Sequence, residues 1–162
     1  MVDAPGTADQ LKLVAFDEED LAVISAHVQD AVIKVADMIY LPKEKRFAIA
    51  MKRFVWESAI TGRRRTFERR QSTLVFDHVH AAQCANLKRD NPNAIVELLA
   101  VVFEPGEEPG GYLILHFAGG TAVRLGAEAI EVRLADQDAA WPTKRLPVHD
   151  LSDAESVEAR PR

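Results

Sequence analysis

Cysteine occurs once in the 162 residues, as Cys84. An intramolecular disulfide and any Cys/His zinc spacing are therefore excluded. Cys84 lies in an apolar, strand-like stretch, where a free thiol serves as a small core hydrophobe. Long apolar runs are also missing. The longest, residues 98–103, has six members, far short of the roughly 20 that cross a bilayer as a helix. Residues 1–10 carry two acids and a Pro-Gly pair without an apolar segment, so no signal peptide is expected and a cytoplasmic location is. Eight glycines and eight prolines are too few for a low-complexity chain.

Catalytic signatures are equally scarce. The sequence has no G-x-x-x-x-G-K-[ST] and no G-x-G-x-x-G between a strand and a helix. The glycines at 106, 110 and 111 fall in a broad turn, and those at 119 and 120 join two strands. Neither group opens a helix that could receive phosphate. No glycine-framed serine is present, which removes the nucleophile elbow. No cofactor is expected.

What is present is an ordinary globular composition, 48% apolar and 28% charged. The net charge of −5 is unevenly placed. Residues 43–70 hold ten basic and three acidic side chains, +7, against −12 for the remainder. An acidic body with one basic segment repels bulk polyanion yet can hold an anion locally.

The local pattern predicts a mixed α+β chain. Residues 11–16 alternate as a short strand. Asp17 then offers an N-cap, with acids in the first turn and Leu21, Ile24 and Val28 on one helical face. Strands are expected over 31–36, 37–41 and 46–56, with a turn at 42–45. A parity change at Phe54 and Trp56 predicts a bulge near Lys52-Arg53. Residues 58–72 read as an Arg-rich loop and 73–87 as one strand. Residues 94–103 read as a strand covered on both faces, and 112–118 and 121–125 as a hairpin. Ala127, Ile130 and Leu134 predict a second helix to about Gln137. Trp141 and Pro142 are expected to pack back on the body. The resulting expectation is one α+β domain over 11–146, between a flexible 1–10 and an acidic, disordered 147–162. Its core is a curved, mostly antiparallel sheet or partly open, pleckstrin-homology-like barrel with a helix near each end.

Three groups of residues could carry chemistry. His78 and His80, two apart on one expected strand, share a face, and His116 could supply a third imidazole for zinc, although an i, i+2 pair alone is weak. Glu97 is an acid within an apolar strand; it is either buried against Arg124 or, as exposure statistics favour, turned to solvent. The most distinctive feature is the cluster Arg63, Arg64, Arg65, Arg69 and Arg70. Arginine forks bind carboxylate or phosphate in bidentate fashion, and Phe54, Trp56 and Phe67 lie near for stacking. The plainer reading is a solvated loop paired with surface acids.

Several stretches resemble an alphaproteobacterial family catalogued as a domain of unknown function, DUF2948. They include Leu11-Lys12-Leu13-Val14-Ala15, Asp17-Glu18-Glu19-Asp20-Leu21, Leu41-Pro42-Lys43-Glu44-Lys45-Arg46-Phe47, Arg53-Phe54 and Trp56-Glu57. Phe103-Glu104-Pro105-Gly106, Phe117-Ala118-Gly119-Gly120 and Arg133-Leu134-Ala135-Asp136 continue the likeness over about 11–146. The resemblance implies a bacterial cytoplasmic setting and brings no activity or site. The expectation is a non-enzymatic binding or adaptor domain whose Arg63–Arg65, Arg69 and Arg70 engage an acidic protein or anionic ligand. The alternatives are a small enzyme using Glu97 or His78, His80 and His116, and RNA binding, which the acidic net charge disfavours. No membrane partner is expected, and the sequence leaves the oligomeric state open.

Overall fold

The computed structural model describes residues 10–55 and 69–137. After the short strand β1 (Lys12–Ala15), the helix α1 (Glu18–Val28) starts as the sequence requires. The Asp17 carboxylate accepts from the Asp20 amide at 2.8 Å, three acids occupy the first turn, and Leu21, Ile24 and Val28 are buried. The chain continues through β2 (Val32–Lys34), a 3-10 turn (Val35–Asp37), β3 (Met38–Leu41), a second 3-10 turn (Pro42–Glu44) and β4 (Arg46–Phe54). Lys45 takes a left-handed conformation, φ 52°, to reverse the chain where the Pro-Lys-Glu-Lys turn is expected. The remaining strands are β5 (Arg69–Asp77), β6 (Val79–Ala85), β7 (Ile95–Pro105), β8 (Gly111–Phe117), β9 (Ala122–Ala127) and β10 (Val132–Asp136).

All recorded strand pairs are antiparallel. The order is β1-β10-β5-β4-β2-β7-β8-β9-β6, with β3 also on β4. The path ends at β1 and β6 without joining them, so the sheet is open. Its inner face carries Phe47, Ile49, Leu74, Phe76, Leu98, Val101, Leu113, Leu115, Val123 and Leu125, and α1 adds its buried stripe to the same core. The helix lies across β7 and β1, and the Ser25 hydroxyl accepts the Val101 amide at 2.9 Å beside the β7–β8 register shift.

Five expectations change. The helix expected over 127–137 is absent: Ala127 ends β9, and Val132–Asp136 is β10, held between β1 and β5. Val132, Leu134 and Asp136 alternate inward with period two, and pairing on both edges outweighs an ambiguous helical spacing. The stretch 73–87 is two strands, separated at His78, whose φ of 64° turns the chain. Arg69–Ser72, expected in a loop, belongs to β5. The strand at 94–103 is covered on one face only, since Ile95, Leu99 and Val102 stand exposed. Finally, β4 has no bulge: nine consecutive pairs with β5 run from Arg46↔Asp77 to Phe54↔Arg69. The apparent parity change arises because Arg53 itself takes an inward position after Phe47, Ile49 and Met51. The expected N-terminal and C-terminal tails, and the packing of Trp141 and Pro142, lie outside the described residues.

Candidate anion-binding face

The inward arginine explains much of the local electrostatics. The Arg53 side chain is fully buried and grips Asp136 in a bidentate fork, Nε to Oδ1 at 2.8 Å and Nη2 to Oδ2 at 2.9 Å. The Ser72 hydroxyl donates to Oδ1 at 2.6 Å, and the Leu11 amide donates to Oδ2 at 3.0 Å. Burial pushes an acid up. Here the donors Arg53 and Ser72, the Arg53 charge and the Leu11 amide outweigh it and hold the Asp136 carboxyl below its usual range. This cluster ties β4, β5, β10 and the entry to β1 together. Its carboxylate is saturated with donors, so the cluster is structural.

A second ion cluster sits where β5 turns into β6. Asp77 accepts from Arg46 Nε at 2.8 Å and from Arg133 Nη2. The hydrogen bond to Asp77 raises the Arg46 guanidinium above its ordinary value, against an opposing desolvation. Three basic groups of the segment are therefore occupied by carboxylates of their own chain: Arg46, Arg53, and Lys45, which pairs with Glu128 at 3.3 Å.

Of the other described cations, those on strands, Lys52, Arg69 and Arg70, separate by strand parity. Arg70 stands across from Arg53 on the inner face, whereas Arg69 faces outward across from Phe54. The Arg69 guanidinium lies 5.7 Å from the Phe54 ring centroid and donates to the Asp30 carbonyl at 3.0 Å. One strand step inward, Lys52 pairs with Gln71 on one side and Val32 on the other. Lys34 follows two residues after Val32 on the same side of β2. Lys34, Asp37, Ala50, Lys52, Gln71 and Ile95 line a cleft of about 110 Å³. That is room for one carboxylate or phosphate group, well below the hundreds of Å³ of a typical small-molecule site. Inside it, burial raises the Asp37 carboxyl and the nearby Lys34 charge opposes the rise.

Arg63, Arg64 and Arg65 lie outside the described residues, in the connection that leaves β4 just past this face and returns at Arg69. The imidazoles do not assemble. His78 sits in the turn and pairs with Glu131 at 2.8 Å; His80 is at the start of β6; His116 is on β8, opposite Ala100 and Ala122. Among the described residues no group of three or more His, Cys, Asp or Glu side chains could hold a metal ion. Glu97 is exposed on the outer side of β7 across from Val32, and Arg124 stacks at 3.8 Å on Tyr112 rather than pairing with it. Cys84 is half-buried and packs against the core as a small hydrophobe. Two larger hollows, of about 930 Å³ beside the 86–94 connection and about 630 Å³ beside His80, line their walls with charges of both signs or with acids. Among the described residues no helix is long and apolar enough to cross a membrane.

Sequence reasoning missed Lys34 and Lys52 as partners of Arg69. They precede Arg69 by 35 and 17 residues in the chain, and only strand pairing makes them neighbours. Searches of curated proteins and of solved structures found no match. A family model described as "Protein of unknown function (DUF2948)" matches residues 11–149, so the chain belongs to that family.

Proposed function

We propose that this protein is a small non-enzymatic binding domain that engages an acidic protein surface through a basic face. Lys34, Lys52 and Arg69 supply the described part of that face, and the proposal adds Arg63, Arg64 and Arg65 of the β4–β5 connection as further contact groups. The observation that carries the reading is the cleft where Lys34 and Lys52 meet beside Arg69, at the root of that connection. Outward lysines and a planar arginine fork suit carboxylates, and the cleft volume admits one such group at a time. Arg70, across from Arg53 on the inner face, stands apart from the contact groups of this reading. The open, curled antiparallel sheet is in keeping with a pleckstrin-homology-like plan, a scaffold on which exposed connections do the binding.

The test is a titration with a fluorescent poly-glutamate peptide at two salt concentrations. Binding should weaken as salt rises, because exposed charges are screened within about 8 Å at physiological ionic strength. Lys34→Ala/Lys52→Ala and, separately, Arg63→Ala/Arg64→Ala/Arg65→Ala should each weaken it by about tenfold, from exposed pairs worth up to about 1 kcal/mol each. Salt-independent binding, or unchanged affinity in both variants, overturns the reading. Tighter binding of a labelled RNA than of the peptide redirects it to nucleic acid.

A further inference from the structure

The two ends of the sheet are built differently. β1 is four residues long, begins with Lys12, and is packed by α1. β6 is seven residues long and reads Val-His-Ala-Ala-Gln-Cys-Ala, with no lysine, arginine, acid or proline. Among the described residues its only pairing partner is β9. Val79, at its start, is held by the Lys45 carbonyl at 2.9 Å and the Tyr40 hydroxyl. From Ala81 to Ala85, among the described residues, no backbone hydrogen bond reaches beyond the ladder with β9. Ala81, Gln83 and Ala85 are exposed. Natural sheets guard such an edge with charge, proline, shortness or a cover. Over 81–85, among the described residues, this one has no charge, no proline and no cover, and the register shift of β6 on β9 lies before it, between Val79 and Ala81.

We infer that the 81–85 edge of β6 pairs antiparallel with the same edge of a second copy of this chain. A twofold axis at Gln83 sets Gln83 opposite Gln83 of the partner subunit, and matches alanine with alanine and Cys84 with Ala82. Identical strands meeting this way form an isologous interface, in which one patch complements itself. Charge at the axis would repel its own image; the strand carries none over 81–85, and the Arg124 guanidinium that reaches Gln83 from β9 at 3.5 Å lies over the Tyr112 ring. Within 81–85 no basic or acidic side chain on β6 selects a foreign strand instead. This inference is independent of the proposed anion-binding face, which lies on β2, β4 and β5.

The test is sedimentation of the full chain over a dilution series, since self-association depends on protomer concentration. A dimer is expected. Gln83→Lys places like charges across the axis and should raise the dissociation constant by about tenfold or more, with an unchanged circular dichroism spectrum. Lys12→Gln, at the opposite end of the sheet, should leave the dimer intact. Directly opposed antiparallel residues lie about 4.5–5.5 Å apart at Cα, within disulfide range. Gln83→Cys in a Cys84→Ser background should therefore form a covalent dimer under mild oxidation. A monomer at every concentration, or a dimer indifferent to Gln83→Lys that fails to cross-link, overturns the inference.

Discussion

Asp136 shows how one carboxylate can organise four chain segments. It takes two hydrogen bonds from Arg53 and one from Ser72, all buried, and one from the Leu11 amide that is part-buried. Removing one member of a buried pair leaves the other uncompensated. Asp136→Asn should thus cost about 3–5 kcal/mol of unfolding free energy, read as a shift in urea midpoint. Because its folded pKa lies below its unfolded value of about 3.9, the stabilisation is fully present above that value. It is lost as pH falls through the folded pKa. Acid titration of melting temperature should accordingly be shallower in Asp136→Asn than in the native chain. Asp37 has the opposite sign. Burial raises its folded pKa, so ionisation is disfavoured in the fold, and stability declines as pH climbs from about 4 through the raised value. Asp37→Asn should raise the melting temperature at neutral pH and leave it unchanged at acid pH; equal effects at both would refute the assignment.

Among the elements, α1 is the most legible and the best tied down. Its acid-rich first turn, Asp17 cap and inward stripe can all be read from residues 17–28. Its docking to β7 depends on a contact no local pattern contains, the Ser25 hydroxyl receiving the Val101 amide. Ser25→Ala leaves that amide without its acceptor and should cost about 1–3 kcal/mol. Asp17→Ala, which removes only an exposed cap, should cost about 1 kcal/mol. Reversed magnitudes in chemical denaturation would mean that the helix is held by its cap rather than by its seat on the sheet. β10 was the least legible element. Ala127, Ile130 and Leu134 fit a helical stripe, while Val132, Leu134 and Asp136 fit a strand with an acid on the inner side. An inward acid reads as a broken strand pattern until its partner Arg53 is known, 83 residues away. The same pairing accounts for the false bulge expected in β4.

At the scale of the whole molecule, the described cations of the +7 segment, residues 43–70, are divided by the sheet rather than presented as one patch. Arg46 and Arg53 are spent on Asp77 and Asp136, Arg70 turns inward, and Arg69 joins Lys34 and Lys52 outside. Composition and short-range pattern by themselves determined the charge asymmetry, the single cysteine, the absence of nucleotide-loop motifs, the capped helix and the run of antiparallel strands. Those properties depend on residue type and on neighbours a few positions away. The tertiary structure alone decided which arginines are buried, that the three histidines stay apart, that β10 is a strand, and that β6 is left as an open edge. Each of these turns on register between distant strands, where a shift of one residue exchanges the inner face for the outer.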